Sequence, residues 1–158
     1  MACRCLLVVL PVALADSCLD HLNSLRAQHG LNALVLNPEK QSCVNWQAKT
    51  DSTDDSPHET AGKCGEASFP DPDGSGWSIV GQCEAQGQSS CEEAIDDYYS
   101  EGTSGGHYKV IMGPVKSMTW TETSYQGQFK TWYTHDFFDY VPGPSPSPSP
   151  SPSPSPSP

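Results

Sequence analysis

From Ser145 to Pro158 every second residue is proline, in a run of seven Ser-Pro dipeptides. Proline fixes φ and has no backbone N–H to donate, so neither a helix nor a central strand can pass through such a run. Residues 142–158 therefore read as an extended polyproline II tail, and the repeat would reach roughly 40 Å at ~3.1 Å per residue. The other end is removable for a different reason. Arg4 supplies a positive charge, Cys5 to Leu14 is apolar, and Ala13 and Ala15 place small residues where a signal peptidase needs them. Residues 1–15 read as a signal peptide cut before Asp16. Their apolar stretch is far shorter than the ~20 residues of a spanning helix, so no transmembrane segment is expected. Residues 16–141 remain, a length that suits one domain with one core.

The 158-residue chain carries 8 Lys+Arg against 19 Asp+Glu, a formal net charge of −11. A surface this acidic repels phosphate backbones, which argues against a nucleic-acid partner. Secretion permits disulfides. Five cysteines follow the signal: Cys18, Cys43, Cys64, Cys83 and Cys91. The odd number predicts two bridges and one leftover thiol, and the sequence does not choose the pairing.

Asp16 and Ser17 can cap a helix with apolar positions Cys18, Leu19, Leu22 and Leu25, stopped at Gly30. Asn37-Pro38-Glu39 opens a second helix, whose buried stripe is expected to be Cys43, Trp46 and Ala48. Asp51 to Gly65, with His58 near its middle, reads as a loop, as does Phe69 to Gly76. Ser90-Cys91-Glu92-Glu93 is a capping box ahead of Ala94, Ile95, Tyr98 and Tyr99, and the glycines at 102, 105 and 106 end that helix. Lys116 to Thr123 and Phe129 to Phe138 are strand-like. Helices first and adjacent strands last predict an α+β fold with an antiparallel sheet.

Several short motifs then stand in one order. Leu22-Asn23-x-x-Arg26-x-x-His29-Gly30 comes first, followed by Leu34, Trp46 and Ala48, then His58 ahead of Gly65-Glu66. Tyr98-Tyr99-Ser100-Glu101, Gly106-His107-Tyr108 and Trp132-Tyr133-Thr134-His135-Asp136-Phe137-Phe138 complete the series. The ordered set resembles the CAP superfamily of cysteine-rich secretory proteins, venom antigens and pathogenesis-related proteins. That resemblance implies an α-β-α sandwich with a central antiparallel sheet. It also implies a cleft with two His and two Glu, which match His58, Glu66, Glu101 and His107 here. Ala67 replaces the Asn usual after Gly-Glu, Tyr98 replaces a Trp, and Val110 replaces a polar residue.

Two neutral imidazoles can bind Zn²⁺ or another divalent cation, and nearby carboxylates can complete or orient the set. The lead expectation is thus a secreted binding protein of the cell surface or wall, with metal residues His58, His107, Glu66 and Glu101. By resemblance, a sterol or other small lipid is a further ligand, and a defence-like or extracellular-matrix role follows. The alternatives are a weak protease or other hydrolase using the same four residues, or a structural cap on a glycosylated Ser-Pro stalk that meets cell-wall or matrix glycans and proteins. Asp96 and Asp97 read as a solvated face, and His135 as structural.

Overall fold

A computed structural model describes residues 16–124 and 130–143, so the expected signal peptide and the Ser-Pro repeat lie outside the described residues. Helix α1 (Ser17–Gln28) is followed by a short strand β1 (Val35–Leu36), a 3₁₀ turn (Pro38–Lys40) and helix α2 (Gln41–Asp54). Strands β2 (Ser68–Pro70), β3 (Ser78–Val80) and β4 (Gln82–Gln86) come next, then helices α3 (Cys91–Ser100) and α4 (Gly106–Ile111). Strands β5 (Ser117–Ser124) and β6 (Thr131–Phe138) complete the described fold. The main sheet runs β1-β5-β6-β4, and β2 and β3 form a separate antiparallel pair. Three strands of the main sheet are antiparallel, but β1 runs parallel to β5, so the sheet is mixed where an entirely antiparallel one was expected. Two residues of an exposed connection suffice to add that edge.

Strand β6 is buried over seven of its eight residues, because both faces of the sheet are covered. On one face Tyr133, His135 and Phe137 join Cys18, Leu22, Ile95, Tyr98 and Ile111 in or against the main core beneath α1 and α3. Helix α2 covers the other face, packing on β5 and β6. The result is a helix–sheet–helix sandwich. A disulfide between Cys18 and Cys91 ties α1 to α3, a second joins Cys43 to Cys64, and Cys83 is left as a buried free thiol.

Local signals explain most of the helix ends. The Asp16 side chain accepts the Leu19 N–H at 3.0 Å, and Gly30 stands at φ +69 just beyond α1. The Ser90 hydroxyl accepts the Glu93 N–H at 3.1 Å, while the Glu93 carboxylate accepts the Ser89 N–H at 2.6 Å. Helix α2 departs from expectation in two ways. It runs on to Asp54, into the expected loop, and ends on Asp55 in the left-handed region. Its buried stripe is Val44, Gln47, Ala48, Asp51 and Ser52, while Trp46 is 46% exposed. Three of these five are polar because the stripe meets a polar face of the sheet. Gln82, Glu84, Thr119, Thr134 and Asp136 are all buried there, so apolar periodicity finds Ala48 but misses the polar residues of the buried side. Helix α4 is also unforeseen, since three glycines in a row of five read as a stop.

Candidate functional site: a pair of facing imidazoles

His58 and His107 are distant in sequence, and each is held by two contacts. His58 follows α2 in a turn, at φ 65. Its N–H donates to Glu84 Oε2 at 2.7 Å, and its Nδ1 lies 3.1 Å from Gln82 Oε1. Both partners sit on β4, an edge strand of the main sheet. Glu84 is fixed in turn by Trp132 Nε1 at 3.0 Å and Thr134 Oγ1 at 2.8 Å. His107 is the second residue of α4. Glu101, just after α3, reaches across and accepts the His107 N–H at 3.0 Å and its ring Nδ1 at 2.6 Å. Glu101 packs against Gly105 so closely that no side chain would fit at that position. The glycines between the helices therefore make room for the carboxylate. The Tyr98 ring, 4.8 Å from the His107 ring, supports it from within the core.

The tautomers follow from these partners. A carboxylate and an amide carbonyl can only accept, so both Nδ1 atoms carry the proton and donate. Both Nε2 atoms then hold a lone pair, and they face each other 3.3 Å apart. Facing lone pairs at this distance repel unless a proton on one nitrogen or a metal ion lies between them.

The fourth residue expected from the sequence is placed elsewhere. Glu66 is 8% exposed, and its carboxylate accepts the Gly62 N–H at 3.1 Å, the Cys64 N–H at 2.9 Å and Gln47 Nε2 at 2.6 Å. It braces the turn that the Cys43–Cys64 bridge closes. The structure thus brings His58, Glu101 and His107 together and sets Glu66 in the buried layer against α2. Asp51, Glu84 and Asp136 share that layer, and burial pushes the pKa of all three carboxyls up. Neither Asp136 oxygen has a donor, as suits a carboxyl that keeps its proton beside Glu66.

His135 is fully buried, with Nε2 2.9 Å from Cys91 Sγ and Nδ1 3.2 Å from the Tyr98 hydroxyl. Burial first, then the neighbouring His107, pushes its pKa down to about 3. It is a neutral core residue. Asp96 and Asp97 are exposed, in bonds to His21 at 2.7 Å and Gln88 at 2.6 Å, as a solvated face requires.

A cavity of about 460 Å³ beside the imidazole pair is lined by His58, Ala61, Ile79, Val80, Gln82, Glu101, Gly106, His107 and Val110. Another, of about 430 Å³, is lined by His58, Glu101 and His107 with Glu84, Gln88, Asp97 and others. No Ser, Thr or Cys lines either, and the hydroxyl of Tyr98, which lines the second, lies 3.2 Å from His135 Nδ1 in the core. Ser104 does stand in a Gly-x-Ser-x-Gly pattern, from Gly102 to Gly106. That pattern joins two helices here, not the strand and helix that expose a nucleophilic serine. A third cavity, about 560 Å³, lies between Phe69, Pro70, Tyr108, Met112 and Leu31. Sequence reasoning missed Gln82 and Glu84, because nothing in Gln82-Cys83-Glu84-Ala85-Gln86 marks an edge strand that orients a histidine. Among the described residues no helix is long and apolar enough to cross a membrane.

No curated protein sequence matches the chain. A family model does: that of the CAP, or cysteine-rich secretory protein, family aligns with residues 19–136, about three quarters of the chain. The match runs from α1 to the end of β6 and takes in His58, Glu66, Glu101 and His107, and the chain belongs to the CAP family.

Proposed function

We propose that the protein is a secreted binding protein whose cleft holds a divalent cation through His58 Nε2 and His107 Nε2. The observation that carries this reading is the 3.3 Å separation of two nitrogens whose lone pairs face each other. Two imidazole nitrogens on a tetrahedral Zn²⁺, each at ~2.0–2.1 Å, stand about 3.3 Å apart, so the pair fits the ion. Gln82 and Glu101 act behind the ligands. Each accepts an Nδ1–H, which fixes the tautomer and ring orientation and raises the basicity of Nε2. Bound there, Zn²⁺ would supply a Lewis acid with coordination positions left for water or a ligand. Glu66 has no part in this set, because its carboxylate is committed to the turn at Gly62 and Cys64.

Secretion is supported by two disulfides, which persist in oxidising compartments. The lipid or sterol implied by the resemblance finds support in the apolar third cavity, whose size suits a small ligand. A cell-surface or wall setting, with the Ser-Pro tail as a spacer to matrix glycans or proteins, completes the reading.

Calorimetric titration of the full mature chain with Zn²⁺ tests it. One saturable site, lost in both His58→Ala and His107→Ala, is the expected result. No binding by the wild type, or binding that survives either substitution, would remove the cation from the account.

A further inference from the structure

The cavity between Phe69, Pro70, Tyr108 and Met112 shares no lining residue with the two beside the imidazole pair. Its walls are aromatic and rich in proline, and they are held in place from behind. The Tyr108 ring lies 5.5 Å from the Tyr99 ring, and the Tyr99 hydroxyl is 2.7 Å from His29 Nε2. Next to Met112, the buried Arg26 Nη1 donates to Ile111 O at 2.6 Å and Gly113 O at 3.2 Å. Lys109, the only Lys, Arg, Asp or Glu lining the cavity, is neutralised by Asp71 Oδ1 at 2.8 Å and Asp73 Oδ2 at 3.1 Å. Trp77 stands in the same hairpin as Pro70 and Pro72, where its carbonyl accepts the Asp71 N–H at 2.9 Å. It is 77% exposed, a large aromatic that the described residues leave uncovered. Such a surface suits an uncharged, extended, proline-rich strand, which docks on aromatic grooves with little ordering cost.

The chain carries such a strand, and its described part ends close by. The Lys116 N–H donates to Phe138 O at 2.8 Å, and Ser117 Oγ donates to Tyr140 O at 2.6 Å. Pro114, in the cavity wall, is three residues before Ser117, and Gly143 is three residues after Tyr140. Three residues span at most about 10 Å, so Gly143 lies less than about 30 Å from that wall. The Ser-Pro repeat begins two residues later, and at roughly 40 Å it covers the gap with a turn to spare. We propose that the repeat of this same chain folds back and lies in the cavity. Polyproline II has three residues per turn and the repeat has a period of two. Every edge of the rod therefore presents a proline within two turns, and no single register is required. The rod makes no internal hydrogen bonds, so its carbonyls can accept from the Tyr108 and Thr103 hydroxyls. Tethering gives an effective concentration on the order of millimolar, so even a contact of millimolar Kd is about half formed. The proposal does not depend on the cation at His58 and His107. A lipid in the cavity would have to displace the tail, and a matrix partner that captured the tail would uncover the cavity.

The test is paramagnetic NMR on the full mature chain, with a nitroxide attached through Ser151→Cys and spectra compared before and after its reduction. Cys83 is fully buried and does not compete for the label. Signals of Phe69, Tyr108 and Met112 should lose more than about half their intensity, without change on dilution. Trp46, exposed on α2 across the sheet, should keep its intensity. Tyr108→Ala should restore the signals of Phe69 and Met112 several-fold. Pro150→Asp with Pro152→Asp should do the same from the tail side, and it alters no described residue, so it stands even where Tyr108→Ala disturbs the fold. No broadening at the cavity, equal broadening at Trp46, or broadening that survives the tail substitutions would overturn the proposal. Broadening that fades on dilution would assign the contact to a second copy's tail and overturn it as well.

Discussion

At the residue scale the decisive facts are the acceptors on the two Nδ1 atoms. An imidazole free in solvent exchanges tautomers, and it presents a lone pair at Nε2 only part of the time. Glu101 and Gln82 remove that freedom. Glu101→Gln keeps the shape but replaces a carboxylate by a neutral amide, a weaker acceptor for the Nδ1 proton. Zn²⁺ affinity is then expected to fall about 10- to 100-fold, the usual cost of losing a partner behind a metal ligand. Calorimetry on the variant checks this, alongside a denaturation curve that should move little because Glu101 is partly exposed. An unchanged affinity would show that the carboxylate does not orient His107. Of the four residues that the sequence singled out, three meet here. Glu66 does not, because its spacing from Cys64 and Gly62 lets it cap its own turn, a local bond that no residue count reveals.

At the element scale, α3 and α4 carry the His107 side of the cleft, and α1 fixes α3 from behind through Cys18–Cys91. That bridge closes a sequence separation of 73 residues and Cys43–Cys64 one of 21. In the chain-entropy account, removing the longer one by paired Cys→Ser substitution costs about 4 kcal/mol and the shorter about 3 kcal/mol. Urea denaturation of the two double variants should keep that order, and the reverse order would mean that native contacts outweigh loop entropy. The elements that the sequence predicts well are those with a cap and an apolar stripe. Helix α1 has Asp16 and Leu22, and α3 has Ser90 and Ile95. Of the stripe expected for helix α2 only Ala48 is fully buried, because the same side carries Gln47 and Asp51 in a polar layer with Glu84 and Asp136 that hydrophobic periodicity cannot register. Strands β1 and β4 are too short to show an alternating pattern, and α4 begins in glycines.

At the scale of the whole molecule, buried ionisable groups set how stability follows pH. His135 has its pKa lowered to about 3 from an ordinary 6.5, so the fold favours its neutral form. Its contribution is complete above pH 6.5 and is lost as pH falls toward 3, while the unfolded chain takes up the proton. Asp51, Glu84 and Asp136 have raised pKa values, so their contribution is complete below the ordinary carboxylate range and is lost as pH rises through their folded values. The two trends oppose each other on the acid side of neutrality. His135→Gln removes only the first. Thermal unfolding from pH 7 to pH 5 should therefore show the variant gaining on the wild type as pH falls, by up to about 1.4 kcal/mol per pH unit. A constant difference would mean that His135 is not held neutral. The family match and the sandwich explain why such a domain exists as a scaffold, but the claim specific to this chain is that two imidazoles share one cation. The ¹⁵N spectra of the His58 and His107 rings, recorded with and without Zn²⁺, test it most directly. The account predicts protonated Nδ1 on both rings throughout, with both Nε2 resonances moving together to a metal-bound value at one equivalent. An Nδ1 without its proton on either ring, or Nε2 resonances that respond separately or not at all, would contradict it.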